Sequence, residues 1–332
     1  MADHADFAGL IPDVIGRFGL WPQSEPVAVP GGTLNWNFRI ETDGGSYFVR
    51  RYRDNLETER IKGEHELLRW AEERGVPVAL PEETPDDLSL VQIAGGRWAI
   101  FPWIDGDVRP RGSLSSGEAQ TLGALHGYVQ SVLAQHPTSD GARMKMTWDK
   151  AQSIELLGVV AVAAERSGAD GWIRDGIAKQ HRLLDGLEVL PPEAFASMPV
   201  QLLHGDFHDQ QVIWQGDAIA ALVDWEIWHC DPRAWELVRS LAFSLLLDSP
   251  LLEDYLRGYR HFVQLSEDEC RLGLRLWWQS RVVGLWAWTA HFLEGNERVK
   301  DFFPAMISEL DNVADEQWKS SIEERFVRAA RG

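Results

Sequence analysis

The stretch HGDFHDQQVIW, residues 204–214, places two histidines, two aspartates and two glutamines in its first eight positions, just ahead of a short apolar run. A second apolar run, AIAALV at 218–223, follows across Gln215-Gly216-Asp217, which is the pattern of an antiparallel hairpin. In such a hairpin the second strand returns to the end where the first began. Asp224 is therefore expected beside the segment from His208 to Gln211, and the side chains of Asp206, Gln211 and Asp224 converge. Carboxylates and amide oxygens are hard ligands suited to Mg²⁺, which binds through one or two carboxylates plus substrate phosphates. That set points to phosphoryl transfer rather than to zinc chemistry.

Outward from this loop the chain divides into two textures. Residues 1–103 read as strands with one helix. NFRIETDGGSYFVRRY alternates around Phe38 and Ile40, turns at Asp43-Gly44-Gly45 and resumes at Tyr47, Phe48 and Val49. From Asp54, a candidate cap, to Gly75, the apolar positions Ile61, Leu68 and Ala71 predict a helix. LSLVQI, Gly95-Gly96 and RWAIFPW form a second hairpin, and the polar, Gly- and Pro-containing IDGDVRPRGSLSSGE reads as a boundary. Residues 104–332 are mainly helical, starting with a helix capped by Ser115 or Ser116. The stretch 271–293, with Trp277, Trp278, Trp286 and Trp288, is expected to form one helix, most of it core.

At 332 residues and 45% hydrophobic content, the chain suits two domains, each with a core. A net charge of −19 and scattered basic residues argue against nucleic acid or an anionic membrane as partner, and favour a small neutral or cationic one. Cys230 and Cys270 have neither disulfide nor zinc spacing and are expected to be buried thiols. The acidic opening MADHADFAGL does not resemble a secretory peptide, no apolar run reaches the length of a membrane span, and a cytoplasmic protein is expected.

LLHGDFHDQQVIW followed by ALVDWEIWHCDPRAWELVRSL resembles the catalytic and metal-binding loops of the aminoglycoside phosphotransferase and choline kinase family, in its homoserine-kinase-like branch. The resemblance implies an α+β, two-lobed protein-kinase-like fold, with a small β-rich N-lobe (1–103) that binds nucleotide and a larger, mainly helical C-lobe (104–332) with the catalytic loop and acceptor site. It implies transfer of the γ-phosphate of ATP to a hydroxyl of a small acceptor: an amino alcohol, an amino sugar, a homoserine-like molecule or a sugar. By position, Asp206 matches the catalytic aspartate, Asp224 and Gln211 the Mg²⁺ ligands, and His204 a structural histidine. PGGTLNWNFRI looks like the nucleotide-covering loop, with Gly31 and Gly32. Arg50, in YFVRRY, matches the phosphate contact and Glu64, in GEHELLRW, its partner. AIFPWIDG resembles the linker that holds adenine, around Phe101, Trp103 and Ile104.

Two positions depart from the family. Gln211 stands where most relatives have asparagine, keeping the amide oxygen on a longer stem. Arg50 stands where kinases typically have lysine, offering a planar fork in place of a point charge, and Arg51 competes for the same role. These departures keep open a nucleotide-binding pseudokinase without transfer activity. Gly-Asp-Phe-His also matches the start of a metallophosphoesterase, but Gly295-Asn296-Glu297 lacks the histidine that class requires. Several of these residues have an ordinary structural use as well: a glycine pair before a strand makes a turn, a lone helix glutamate is solvated, and Asp231 and Glu236 read as structural hydrogen-bonding residues. Glu226, two positions after Asp224, is a further candidate to touch the metal.

Overall fold

The computed structural model describes residues 4–30, 34–146 and 148–331. Two short helices, α1 (His4–Ala8) and α2 (Ile11–Arg17), precede the strands and the one helix expected in residues 1–103. The reason is in the spacing: Ile11, Val14, Ile15 and Phe18 fall on one face and are buried, and Pro12 sits in the first turn, where it removes no helical hydrogen bond.

The following strands are β1 (Val27–Ala28), β2 (Trp36–Thr42) and β3 (Gly45–Arg51), then α3 (Thr58–Glu72), β4 (Val91–Ile93) and β5 (Gly96–Pro102). They form a five-stranded antiparallel sheet in the order β1-β2-β3-β5-β4. Both expected hairpins are present, with Phe38 opposite Val49 and Val91 opposite Trp98. One face of the sheet packs Phe38, Ile40, Val49, Trp98 and Ile100 onto α2. Asp54 does not cap α3. It pairs with Arg51 at 2.7 Å, and the helix begins three residues after the expected place, behind Glu57.

Beyond residue 110 come α4 (Ser116–Leu133), α5 (Lys150–Arg166) and α6 (Gly171–Gly186), then β6 (Val200–Leu203), β7 (Val212–Gln215), β8 (Ala218–Leu222) and β9 (His229–Pro232). Helices α7 (Arg233–Ser244), α8 (Leu252–Tyr259), α9 (Glu267–Val283), α10 (Trp286–Phe292), α11 (Phe303–Ala314) and α12 (Glu316–Arg331) complete the chain. The cap of α4 is Ser115, in a reciprocal box with Glu118. The tryptophan-rich stretch is two helices, because the backbone turns extended at Gly284.

By packing density the chain forms two compact units: Met1–Pro110 with His204–Trp228, and Arg111–Leu203 with His229–Gly332. The quoted loop and its hairpin, β7-β8, thus belong to the sheet-bearing unit. The helical unit has its own core around Leu157, Ile177, Trp288 and Phe303, and a two-stranded ribbon, β6-β9, that the strand patterns had not revealed. Within it α4 and α8 meet backbone to backbone: a Cβ on Gly123 would stand 2.0 Å from the Tyr255 carbonyl oxygen, and one on Gly258 1.9 Å from that of Gln120. Among the described residues no helix is long and apolar enough to cross a membrane.

Candidate active site

The 204–211 loop is held by its own histidines. His204 is fully buried; its Nδ1 accepts the Asp206 N–H at 3.2 Å, which puts the ring proton on Nε2, 3.0 Å from the Val223 carbonyl. One ring therefore ties the loop to the strand end that precedes Asp224. His208 Nδ1 accepts the Gln210 N–H at 3.2 Å, and its Nε2 stands 3.6 Å from Asp206 Oδ1. Gln211 Nε2 donates to Asp206 Oδ2 at 3.0 Å, leaving the amide oxygen as an acceptor for another group. The β7-β8 hairpin returns as its turn chemistry requires, and the Val223 N–H reaches the Gln211 carbonyl at 2.9 Å.

Asp224 follows in the left-handed region, at φ 65°. That conformation costs roughly 1–2 kcal/mol for most L-residues and less for aspartate. It turns the carboxylate toward β3, where Arg50 Nη1 lies 3.3 Å from Asp224 Oδ1 and 3.7 Å from Glu64 Oε1. The two consecutive arginines are sorted by strand alternation. Arg51 points to the other face, stacked on Phe7 and Trp36 and paired with Asp54, so Arg50 is the one that meets Asp224 and Glu64.

This cluster is electrostatically uneven. Burial pushes the Glu64 carboxyl up to about 8, against the opposing pull of Arg50 and with help from Glu226 and Asp224. Burial works against the Arg50 charge, but Asp224 and Glu64 outweigh it and raise its pKa. Glu64 Oε2 is buried with no hydrogen-bond partner among the described residues.

Arg50, Glu64 and Asp224 form part of the wall of a cavity of about 260 Å³. Phe101, Trp103 and Ile104 line it too, with Val29, Phe48 and Leu68 among the apolar residues around them. Six residues singled out in the sequence therefore line one cavity, while Asp206 and Gln211, joined to each other, are not among its lining residues. Gly31 and Gly32 lie outside the described residues. Among the described residues no group of three or more His, Cys, Asp or Glu could hold a metal ion. Carboxylate and amide oxygens such as those of Asp224 and Gln211 are of the kind that suits a hard divalent cation. Sequence reading passed over Asn35, Arg53 and Arg60, which meet around Glu226; the Asn-rich LNWNF was the available signal.

Residues 26–272 match the sequence pattern of the phosphotransferase enzyme family (APH). The chain belongs to that family. As a member it is an ATP-dependent kinase acting on an alcohol group, and the metallophosphoesterase reading falls. This phosphotransferase is 24% identical over 284 residues to a homoserine kinase of Mesorhizobium japonicum, in an alignment spanning 76% of this chain and 79% of that one. Among solved structures it is similar to an amicoumacin kinase in complex with AMP-PNP, Ca²⁺ and Ami, with a TM-score of 0.62 and 13% identity over 96% of this chain and 93% of that one. It is also similar to the microcompartment-associated aminopropanol kinase, with a TM-score of 0.61 and 14% identity over 97% of this chain and 98% of the other. The likeness to these two is one of fold, which for the phosphotransferase is the α+β, protein-kinase-like one, with a β-rich N-lobe and a mainly helical C-lobe.

Proposed function

We propose that this phosphotransferase moves the γ-phosphoryl group of ATP, with Mg²⁺, to a hydroxyl of a small acceptor, within the class of amino alcohols, amino sugars, homoserine-like molecules and sugars. The observation that supports it is Arg50, set between Glu64 at 3.7 Å and Asp224 at 3.3 Å on the wall of a cavity also lined by Phe101, Trp103 and Ile104. In this reading residues 1–103 are the nucleotide-binding lobe and 104–332 the lobe with the catalytic loop and acceptor site; the need for ATP suits a cytoplasmic setting. Homoserine comes first among acceptors to test, because the curated relative is a homoserine kinase.

Phosphoryl transfer asks the protein mainly for positioning and charge neutralisation. Asp206 takes the proton of the acceptor hydroxyl, its carboxylate kept in place by the Gln211 amide and flanked by His208. Arg50 holds phosphate oxygens with its fork, backed by Glu64, and Phe101, Trp103 and Ile104 surround the base. Asp224 and Gln211 would hold Mg²⁺, which supplies neutralisation of phosphate charge. Gly31 and Gly32 would cover the phosphates with their backbone amides.

The test is Mg²⁺-dependent ADP release against a panel of amino alcohols, homoserine, aminoglycosides and free sugars, with Asp206→Asn in parallel. One acceptor should stimulate release, and the substitution should lower it by about 10²–10⁴-fold. ATP binding with no release for any acceptor is the pseudokinase result, and no nucleotide binding at all overturns the assignment.

A further inference from the structure

Two residues past Asp224, the Glu226 side chain is only 4% exposed, with one oxygen hydrogen-bonded and the other facing a guanidinium. Oε2 accepts from Asn35 Nδ2, and Oε1 pairs with Arg53 Nη1 at 2.5 Å. Asn35 and Arg53 are themselves joined, the Arg53 N–H donating to Asn35 Oδ1 at 3.0 Å. The backbone from this residue onward is held as well. Arg60 donates to the Glu226 carbonyl at 3.1 Å and to the Trp228 carbonyl, and its guanidinium stacks on the Trp228 ring at 3.9 Å.

The chain positions of these partners give the cluster its meaning. Asn35 comes three residues after Gly32, in the segment that resembles the nucleotide-covering loop. Arg53 comes three after Arg50, just past the end of β3. Arg60 stands one turn before Glu64 on α3, on the same face. Asn35, the end of the Arg50 strand and the helix of Glu64 are thus each fastened to the short segment that carries Asp224.

We infer that Glu226 is a positioning residue for the nucleotide, a clasp that joins the flank of the glycine loop, the Arg50 strand and the Asp224 segment into one phosphate-binding frame. The inference rests on the kinase reading above. It differs from a metal-ligand role for Glu226, since a cation on either oxygen would displace the Asn35 amide or the Arg53 guanidinium. A charge-assisted hydrogen bond and an ion pair on one buried carboxylate hold fixed geometry better than a single neutral contact, which is what a site that works by positioning requires.

The experiment is calorimetric titration of ATP with Mg²⁺ into the full chain and its variants, well below each melting midpoint. Glu226→Gln keeps the size and one oxygen but loses the charge facing Arg53, and should weaken ATP binding about tenfold, as should Arg53→Gln. Arg53→Lys keeps the charge and should recover most of the affinity, which a purely space-filling role for the side chain would not produce. Unchanged affinity in folded Glu226→Gln overturns the clasp. So does a rise in the Mg²⁺ concentration required by Glu226→Gln with Arg53→Gln silent, since that is the signature of a metal ligand. If the unaltered protein fails to bind ATP, the kinase reading falls first and takes this inference with it.

Discussion

Glu236 in the helical unit and Glu64 in the sheet-bearing unit are both buried carboxylates, and their surroundings are opposites. Glu236 accepts from Gln130 Nε2 at 2.9 Å and lies 3.3 Å from His126 Nε2. Gln130 Oε1 in turn accepts from the Tyr259 hydroxyl at 2.5 Å, while His126 Nδ1 meets the Tyr255 hydroxyl at 2.8 Å. That network closes on itself inside protein. Glu64 meets Arg50 at 3.7 Å, its Oε2 has no hydrogen-bond partner among the described residues, and it lines a cavity. A closed polar network specifies a core; an open one keeps bonding capacity for something that arrives from outside.

Substitution should separate the two. Glu236→Ala leaves His126 and Gln130 facing a hole and should destabilise the protein by about 3–5 kcal/mol in chemical denaturation, with turnover per folded molecule nearly unchanged. Glu64→Ala should do the reverse: removal of a carboxyl that burial already disfavours leaves stability within about 1 kcal/mol, while turnover falls about a hundredfold because Arg50 loses its support. Equal losses of stability in both variants would erase the contrast.

Acidity should separate them again, more gently. The Glu64 carboxyl ordinarily ionises at 4.5 and in the fold at about 8, so the folded chain retains a proton that the unfolded chain gives up. Its contribution to stability is fullest below 4.5 and is lost as pH rises toward 8, and Glu64→Gln should flatten the decline in melting temperature across that window. Burial lowers the His126 pKa from its ordinary 6.5, so the unfolded chain takes up the proton first and stability is lost as pH falls through that value. His126→Gln should flatten the acid side. The smallest effect is expected of Gln211→Asn, which shortens the stem but keeps the amide: the Mg²⁺ concentration for half-maximal turnover should move by no more than about tenfold.

What the sequence disclosed follows from the range of the interactions involved. Short-range signals sufficed for both N-terminal hairpins, for the β7-β8 turn that returns Val223 to Gln211, and for the Ser115 cap, since each depends on residues close together in the chain. The motif around Asp206 and Asp224 carried the family. Arg50 and Arg51 could not be told apart, because strand alternation places them on opposite faces but only the packing of Phe7 and Trp36 shows which face is which. The Asn35–Glu226 contact spans 191 residues, and the Asn-rich LNWNF marks one end of it without indicating the partner. The missed α2 is a different case: its buried face was legible, but a seven-residue helix with a proline and a glycine is a weak signal on its own.

The glycines where α4 meets α8 have a mechanical consequence. With Gly123, Gly127 and Gly258 each set against a bare carbonyl, the two helices mesh like a key in a lock. Sliding one along the other by a residue would drive a side chain into main chain, so no gradual shear is open to the pair. It can travel only as one rigid plate, and any rearrangement of the helical unit must hinge in the connections around that plate.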